Sequence, residues 1–122
     1  MASRQWSCWT RWNTSIKRTL DDAQREAAGD DSIAETRQRA GKNGTCSVLD
    51  VFSLGERAAG VTWALSSREL LQHFGSKTPT KKAISAGIDS LLLKLGRGAS
   101  VAVTGYTRGK PSAVLFAGHS IG

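Results

Sequence analysis

Between Val61 and Ala117 the chain is punctuated so closely that the order of its elements follows residue by residue. Val61, Trp63 and Leu65 alternate with Thr62 and Ala64, the two-residue period of a short half-buried strand. Ser66 ends it, because Ser66 with Glu69 forms a capping box and Leu65 and Leu70 stand where a hydrophobic staple closes. The helix that starts there uses Leu70, Leu71 and Phe74 as its apolar face and ends at Gly75, which can adopt the left-handed conformation. After Ser76 and Lys77, Thr78 reads as a cap and Pro79 as the first residue of the next helix. Ile84, Ile88, Leu91, Leu92 and Leu95 then recur at helical spacing as far as Gly96 and Gly98, with Gly87 a local weakness. Ala99 to Tyr106, where Val101 and Val103 alternate with Ala102 and Thr104, and Ala113 to Ala117 are two strand-like runs. Thr107-Arg108-Gly109-Lys110-Pro111-Ser112 between them is a turn carrying two cations, so the pair reads as a hairpin.

Upstream the pattern changes. Trp6, Trp9, Trp12, Ile16, Leu20, Ala23 and Ala27 recur at steps of three and four, which predicts a helix from about Ser3 to Ala28 with these residues in one stripe. Arg4, Arg11, Lys17, Arg18 and Arg25 fall largely off that stripe. Ser32 with Glu35 predicts a second helix from Ile33 to Ala40, and Lys42 to Thr45 reads as linker. An aromatic stripe of this size needs a covering surface: the chain's own core, a second copy, a membrane surface or single-stranded bases. A homodimer seam of Trp6, Trp9, Trp12, Ile16 and Leu20 is the expectation carried forward, since a 122-residue chain offers limited core to cover so long a helix. Ser47 to Phe52 carries a cap-like Ser and Asp and predicts a helix running to about Ala59, with a strand over Val48 to Phe52 as the rival.

The charge is uneven. The net charge is +7, yet residues 1–46 hold eight Lys/Arg against six Asp/Glu while residues 66–122 hold eight against two. A field of that sign favours nucleic acid, anionic lipid or acidic protein as partner, and charge alone does not choose among them. No run approaches the roughly 18 apolar residues of a spanning helix and the N-terminus has no apolar signal core, so a cytoplasmic protein without membrane contact is expected. Cys8 and Cys46 stand in unlike contexts and read as thiols, not as a disulfide framework or metal site.

The order helix, strand, helix, helix, strand, strand over residues 47–118 resembles the winged helix-turn-helix superfamily. That resemblance implies an α+β fold: a winged-helix domain over 47–122 preceded by a helical extension and linker over 1–46. It also implies that the third helix enters the major groove of duplex DNA while the hairpin touches backbone or minor groove. By position Lys77, Thr78, Thr80, Lys81, Lys82 and Ser85 then face DNA from the helix, Arg108 and Lys110 from the wing, and Arg97 joins them. Independently, Lys77, Lys81 and Lys82 crowd the positive end of a helix, where cations oppose the macrodipole by some tenths of a kcal/mol each. Phosphates would offset that cost. Gly98-Ala99-Ser100-Val101-Ala102-Val103-Thr104-Gly105-Tyr106 also resembles a strand of the HU-type nucleoid proteins, but the chain leaves no room for the long arms of that family.

Signals of catalysis are superficial. Gly118-His119-Ser120-Ile121-Gly122 matches Gly-x-Ser-x-Gly, but a nucleophile elbow needs a following helix and a later acid and histidine. Gly75-Ser76-Lys77-Thr78 lacks the order and the earlier glycine of a phosphate-binding loop. Cys8, Cys46, His73 and His119 have no ligand spacing, so no metal, cofactor, small-molecule substrate or catalytic residue is expected. The sequence therefore points to a small DNA-binding regulator or accessory factor of transcription, replication or partition. The alternative is a protein-binding module, such as a phage or plasmid inhibitor or virion component, acting through the tryptophan stripe.

Overall fold

The computed structural model describes residues 4–41, 44–55 and 58–120. Its elements are β1 (Gln5–Arg11), α1 (Ile16–Ala28), α2 (Ile33–Ala40), a 3-10 turn (Val48–Asp50), β2 (Ser53–Leu54), β3 (Val61–Ala64), α3 (Ser67–Phe74), α4 (Lys81–Leu92), β4 (Ser100–Thr107) and β5 (Lys110–His119). The α+β class and the whole order from Val61 onward are as expected. Gly118 to Ser120 lie at the end of β5, whereas Ile121 and Gly122 of the expected elbow-like motif lie outside the described residues, as do Lys42 and Asn43 of the expected linker.

The strands form one sheet of five in the order β1-β5-β4-β3-β2. β1 and β4 pair antiparallel with β5, whereas β3 lies parallel to β4 and β2 parallel to β3. In a typical wing the first strand joins the hairpin differently; here the α3–α4 segment is a crossover connecting two parallel strands. Side-chain alternation then gives the sheet two covered faces. Trp9, Trp63, Val101, Val103, Leu115 and Ala117 point to one, where Leu70, Ile84, Leu91 and Leu92 of α3 and α4 cover them. Trp6, Ala64, Ala102, Val114 and Phe116 point to the other, beneath Leu20 and Ala23 of α1 and Val48 and Val51 around the 3-10 turn. Residues on both sides of position 46 thus share one sheet.

Two expectations are corrected. The helix over Ser3 to Ala28 and the extension built on it give way to a strand followed by a shorter helix. A spacing of three places Trp6 and Trp9 on one helical face, but in a strand it sends them to opposite sides of the sheet, and both sides here are packed. Thr14, at φ 67°, breaks the chain between the two elements, and Ser15 caps α1 by accepting from the Arg18 N–H at 3.2 Å. The helix expected from Ser47 to Ala59 is replaced by the 3-10 turn and β2 among the described residues, and Glu56 and Arg57 of it lie outside them. Ser47 does cap the turn, accepting from the Leu49 N–H. Its carbonyls, however, are taken by side chains: Gln24 donates to Val48 and Val51, and Arg37 to Leu49 and Val51. Buried Asp50 meanwhile turns back to accept from the Thr45 and Cys46 N–H groups at 2.6 and 2.9 Å. Held by these side chains, the backbone closes only i to i−3 bonds, from the Asp50 N–H to Ser47 and from the Val51 N–H to Val48, and leaves the turn at extended Val51.

The interior strand β5 tolerates no side chain at Gly118, which pairs with Trp6 on one side and Ser100 on the other. A Cβ there would stand 2.5 Å from the Ala99 carbonyl oxygen and 2.5 Å from the Ser100 Cβ. Gly118→Ala is therefore expected to destabilise by about 1–3 kcal/mol through overpacking against backbone, while Gly96→Ala, where a Cβ meets open space, is expected to be neutral or slightly stabilising. Urea denaturation of the pair checks this; equal midpoints would contradict it.

Candidate nucleic-acid interface

Three elements meet at the end of the sheet where β4 turns into β5. The loop of this hairpin is only Arg108-Gly109, with Thr107 paired to Lys110, shorter than the six-residue turn read from sequence. Both loop residues have positive φ, 54° and 77°, as a two-residue turn matched to the strand twist requires. Arg108 is an unusual residue for such a position, where Asn or Gly costs less. Next to the hairpin root, the Tyr106 N–H donates to the Pro79 carbonyl at 2.8 Å. That bond fastens the hairpin to the start of α4. It also explains a shift in the helix: Pro79 is buried and held outside α4, and Thr80, not Thr78, is the cap, its Oγ1 accepting from the Ala83 N–H at 3.2 Å.

Gly105 allows the layers to close. Its missing side chain leaves space that Trp9, Lys81 and Ile84 approach from above, and the Lys81 ammonium lies 5.5 Å from the centre of the Trp9 ring. The result gathers most of the expected residues. Lys77, Thr78, Thr80, Lys81, Lys82 and Ser85 are exposed along the approach to α4 and its first turns, and Arg108 and Lys110 are exposed on the adjoining hairpin. Arg97 is exposed too, but it belongs to the opposite end of β4, where Gly98 is hydrogen-bonded to Ser120. Arg11 joins the cationic end instead, because it pairs with Ala113 in β5, which in turn pairs with Gly105. The sequence holds no signal for that, since spacing alone puts Arg11 on the polar side of a helix. Arg11, Lys77, Lys81, Lys82, Arg108 and Lys110 have no ion-pair partner among the described residues.

The aromatic seam does not exist as a surface stripe. Trp6 is 8% exposed and packs with Leu20 and half-buried Ile16 and Trp12 against one sheet face, while Trp9 packs against the other. Trp6 is buried, whereas Trp9 and Trp12 are half-buried.

Other chemistry is arranged differently. Ser120 is buried and its Oγ accepts from the Arg4 N–H at 3.0 Å, while the His119 ring is bonded to the Leu92 carbonyl at 2.6 Å. Cys8 and Cys46, remote in sequence, both line a cavity of about 280 Å³ beneath α1. Burial raises the Cys8 thiol above its ordinary value, against the lowering hydrogen bond with Thr10 and with a further rise from the Glu26 carboxylate. No group of three or more metal-ligating side chains occurs among the described residues, and no helix there is long and apolar enough to cross a membrane. Comparison with protein-family models, with curated proteins and with solved structures finds no match to this chain.

Proposed function

We propose that this chain is a small DNA-binding protein, a regulator or accessory factor of transcription, replication or partition, that holds duplex through the cationic end just described. In this reading the α3–α4 pair and the β4–β5 hairpin work as a winged helix-turn-helix does, with the start of α4 in the major groove and the hairpin on the backbone, despite a different strand order. The observation that carries it is the Tyr106-to-Pro79 hydrogen bond. It ties two separately basic segments into one unit, so that their cations act together on a polyanion.

Two further features support the reading. Arg108 is exposed at the tip of a two-residue turn, where its cation is open to a phosphate. The α4 N-terminus presents free N–H groups and a positive dipole to an anion, and Lys81 and Lys82, unfavourable there in isolation, gain from a phosphate.

The test is a titration against random duplex at two salt concentrations. Steep weakening with salt is expected, because each phosphate contact releases condensed counterions. Arg108→Ala with Lys110→Ala is expected to weaken binding to all sequences alike and to flatten the slope of log K against log salt by about 1.8, the value for two lost phosphate contacts. A change in sequence preference at constant slope would contradict the backbone role of the hairpin. Absence of any salt-dependent binding would overturn the reading altogether.

A further inference from the structure

Beside the cationic end, a groove of about 360 Å³ runs between α4 and the edge strand β1. Its floor is apolar, formed by Ile88 and Leu115; its walls carry Trp9 and Ser7 from β1 and Ser85 and Asp89 from α4. We propose that this groove takes one unpaired nucleobase, so that the protein binds nucleic acid with a single-stranded overhang in preference to uniform duplex.

The proposal rests on the DNA-binding reading and refines its substrate. A base has apolar faces and a polar edge, and the groove offers the matching pair of surfaces. Trp9 is only half-buried, which leaves part of an indole for stacking, the interaction by which proteins hold unpaired bases irrespective of sequence. The Ser7 and Ser85 hydroxyls and the Asp89 carboxylate can meet the hydrogen-bonding edge, the carboxylate accepting from N–H groups. The size suits one small planar group, since it lies near the lower end of the range for ligand pockets, roughly 300–1,000 Å³.

Charge fixes the orientation. Lys81 stands at the Trp9 end of the groove with its ammonium 5.5 Å from the ring, and Ser85 follows one helical turn later on α4. A phosphate on Lys81 and Lys82 therefore leaves its own base about one helical turn, roughly 5.4 Å, from the groove. Asp89 lies two turns from Lys81, at the end that a phosphate would avoid. An apolar peptide would fill the floor equally well but gains nothing from the adjacent lysines, and an acidic one would be repelled by Asp89.

The experiment compares four probes with the full chain: a blunt 12-base-pair duplex, the same duplex with a three-thymidine overhang, the same duplex with a three-residue abasic overhang, and a 12-residue thymidine strand. Affinity is read by anisotropy and stacking by quenching of tryptophan fluorescence. The thymidine overhang is expected to bind about tenfold more tightly than the blunt duplex, with quenching, as one stacked base warrants; the abasic overhang is expected to lose that advantage, because it keeps the phosphates and lacks the base. Ser7→Phe, which plugs the groove from an exposed position, is expected to abolish the advantage and leave blunt-duplex affinity unchanged. Salt-dependent binding equal for blunt and overhang duplexes would overturn the groove proposal while leaving DNA binding intact, and so would an abasic overhang as good as the thymidine one. Failure of all four probes to bind would overturn both readings. The abasic comparison needs no altered protein, so it decides the matter even if Ser7→Phe does not fold.

Discussion

Combining Lys81→Glu with Lys82→Glu is expected to lower affinity for random duplex at moderate salt by roughly a hundredfold or more, since two attractions become two repulsions beside phosphates. The fold is expected to persist. Losing the Lys81 contact with Trp9 forfeits about 0.5–1 kcal/mol, the value for an exposed cation–π pair. Two carboxylates in the first turn of α4 return a similar amount, about 0.3–1 kcal/mol each, by complementing the helix dipole. Thermal melting should therefore move little while binding is lost. Equilibrium titration with parallel melting curves checks both halves. Unchanged affinity would remove α4 from the interface, and coincident loss of binding and folding would void the inference from binding alone.

This separation of binding from folding is possible because the site was largely visible in sequence. Seven of its residues lie within two short segments, Lys77 to Lys82 and Arg108 to Lys110, whose capping and turn residues identified a helix start and a hairpin. What the sequence could not supply was their adjacency. That depends on a hydrogen bond from Tyr106 to Pro79 across 27 residues, and on a glycine at position 105 that lets α4 approach the sheet. Arg11 was illegible for the same reason, because its neighbours are set by pairing of β1 with β5.

The N-terminal misreading has a different origin. A run of tryptophans three apart satisfies a helical period and leaves the two-residue period unseen, because the residues between, Ser7, Cys8 and Thr10, are neither clearly apolar nor charged. Tertiary context decided it. Both faces of this edge strand find a helix layer, so neither Trp6 nor Trp9 needs to share a side with the other. Downstream, Ile16, Leu20 and Ala23 do follow the helical period, and α1 is where they lie. The 3-10 turn was misread because the side-chain donors that hold its carbonyls come from Gln24 and Arg37, far upstream. The local signal at Ser47 was correct as a cap and silent about length.

The packing of α1 on the sheet can be tested where it is densest. Phe116 is 0% exposed, flanked in the sheet by Cys8 of β1 and Ala102 of β4, and roofed by Leu20, Ala23 and Val51. Its neighbours along that row, Cys8 and Ala102, are small, and its ring is the largest fully buried side chain of the sheet. Phe116→Ala is expected to cost about 3–5 kcal/mol, because the flanking strands are fixed by hydrogen bonds and cannot collapse into the void. Against a total of roughly 5–15 kcal/mol for a native domain, that is a third or more of the stability. Leu71→Ala, at a side chain 45% exposed, serves as the contrast and is expected to cost well under that, about 1 kcal/mol. Urea denaturation supplies both values. A cost under about 1 kcal/mol for Phe116→Ala would mean that α1 does not cover this face of the sheet. Residues 1–28 would then be a separable appendage, and the tryptophans would again be open to a partner. A large cost instead makes β1 and α1 part of the domain that holds the hairpin, so that truncating them would unfold the cationic end along with the rest.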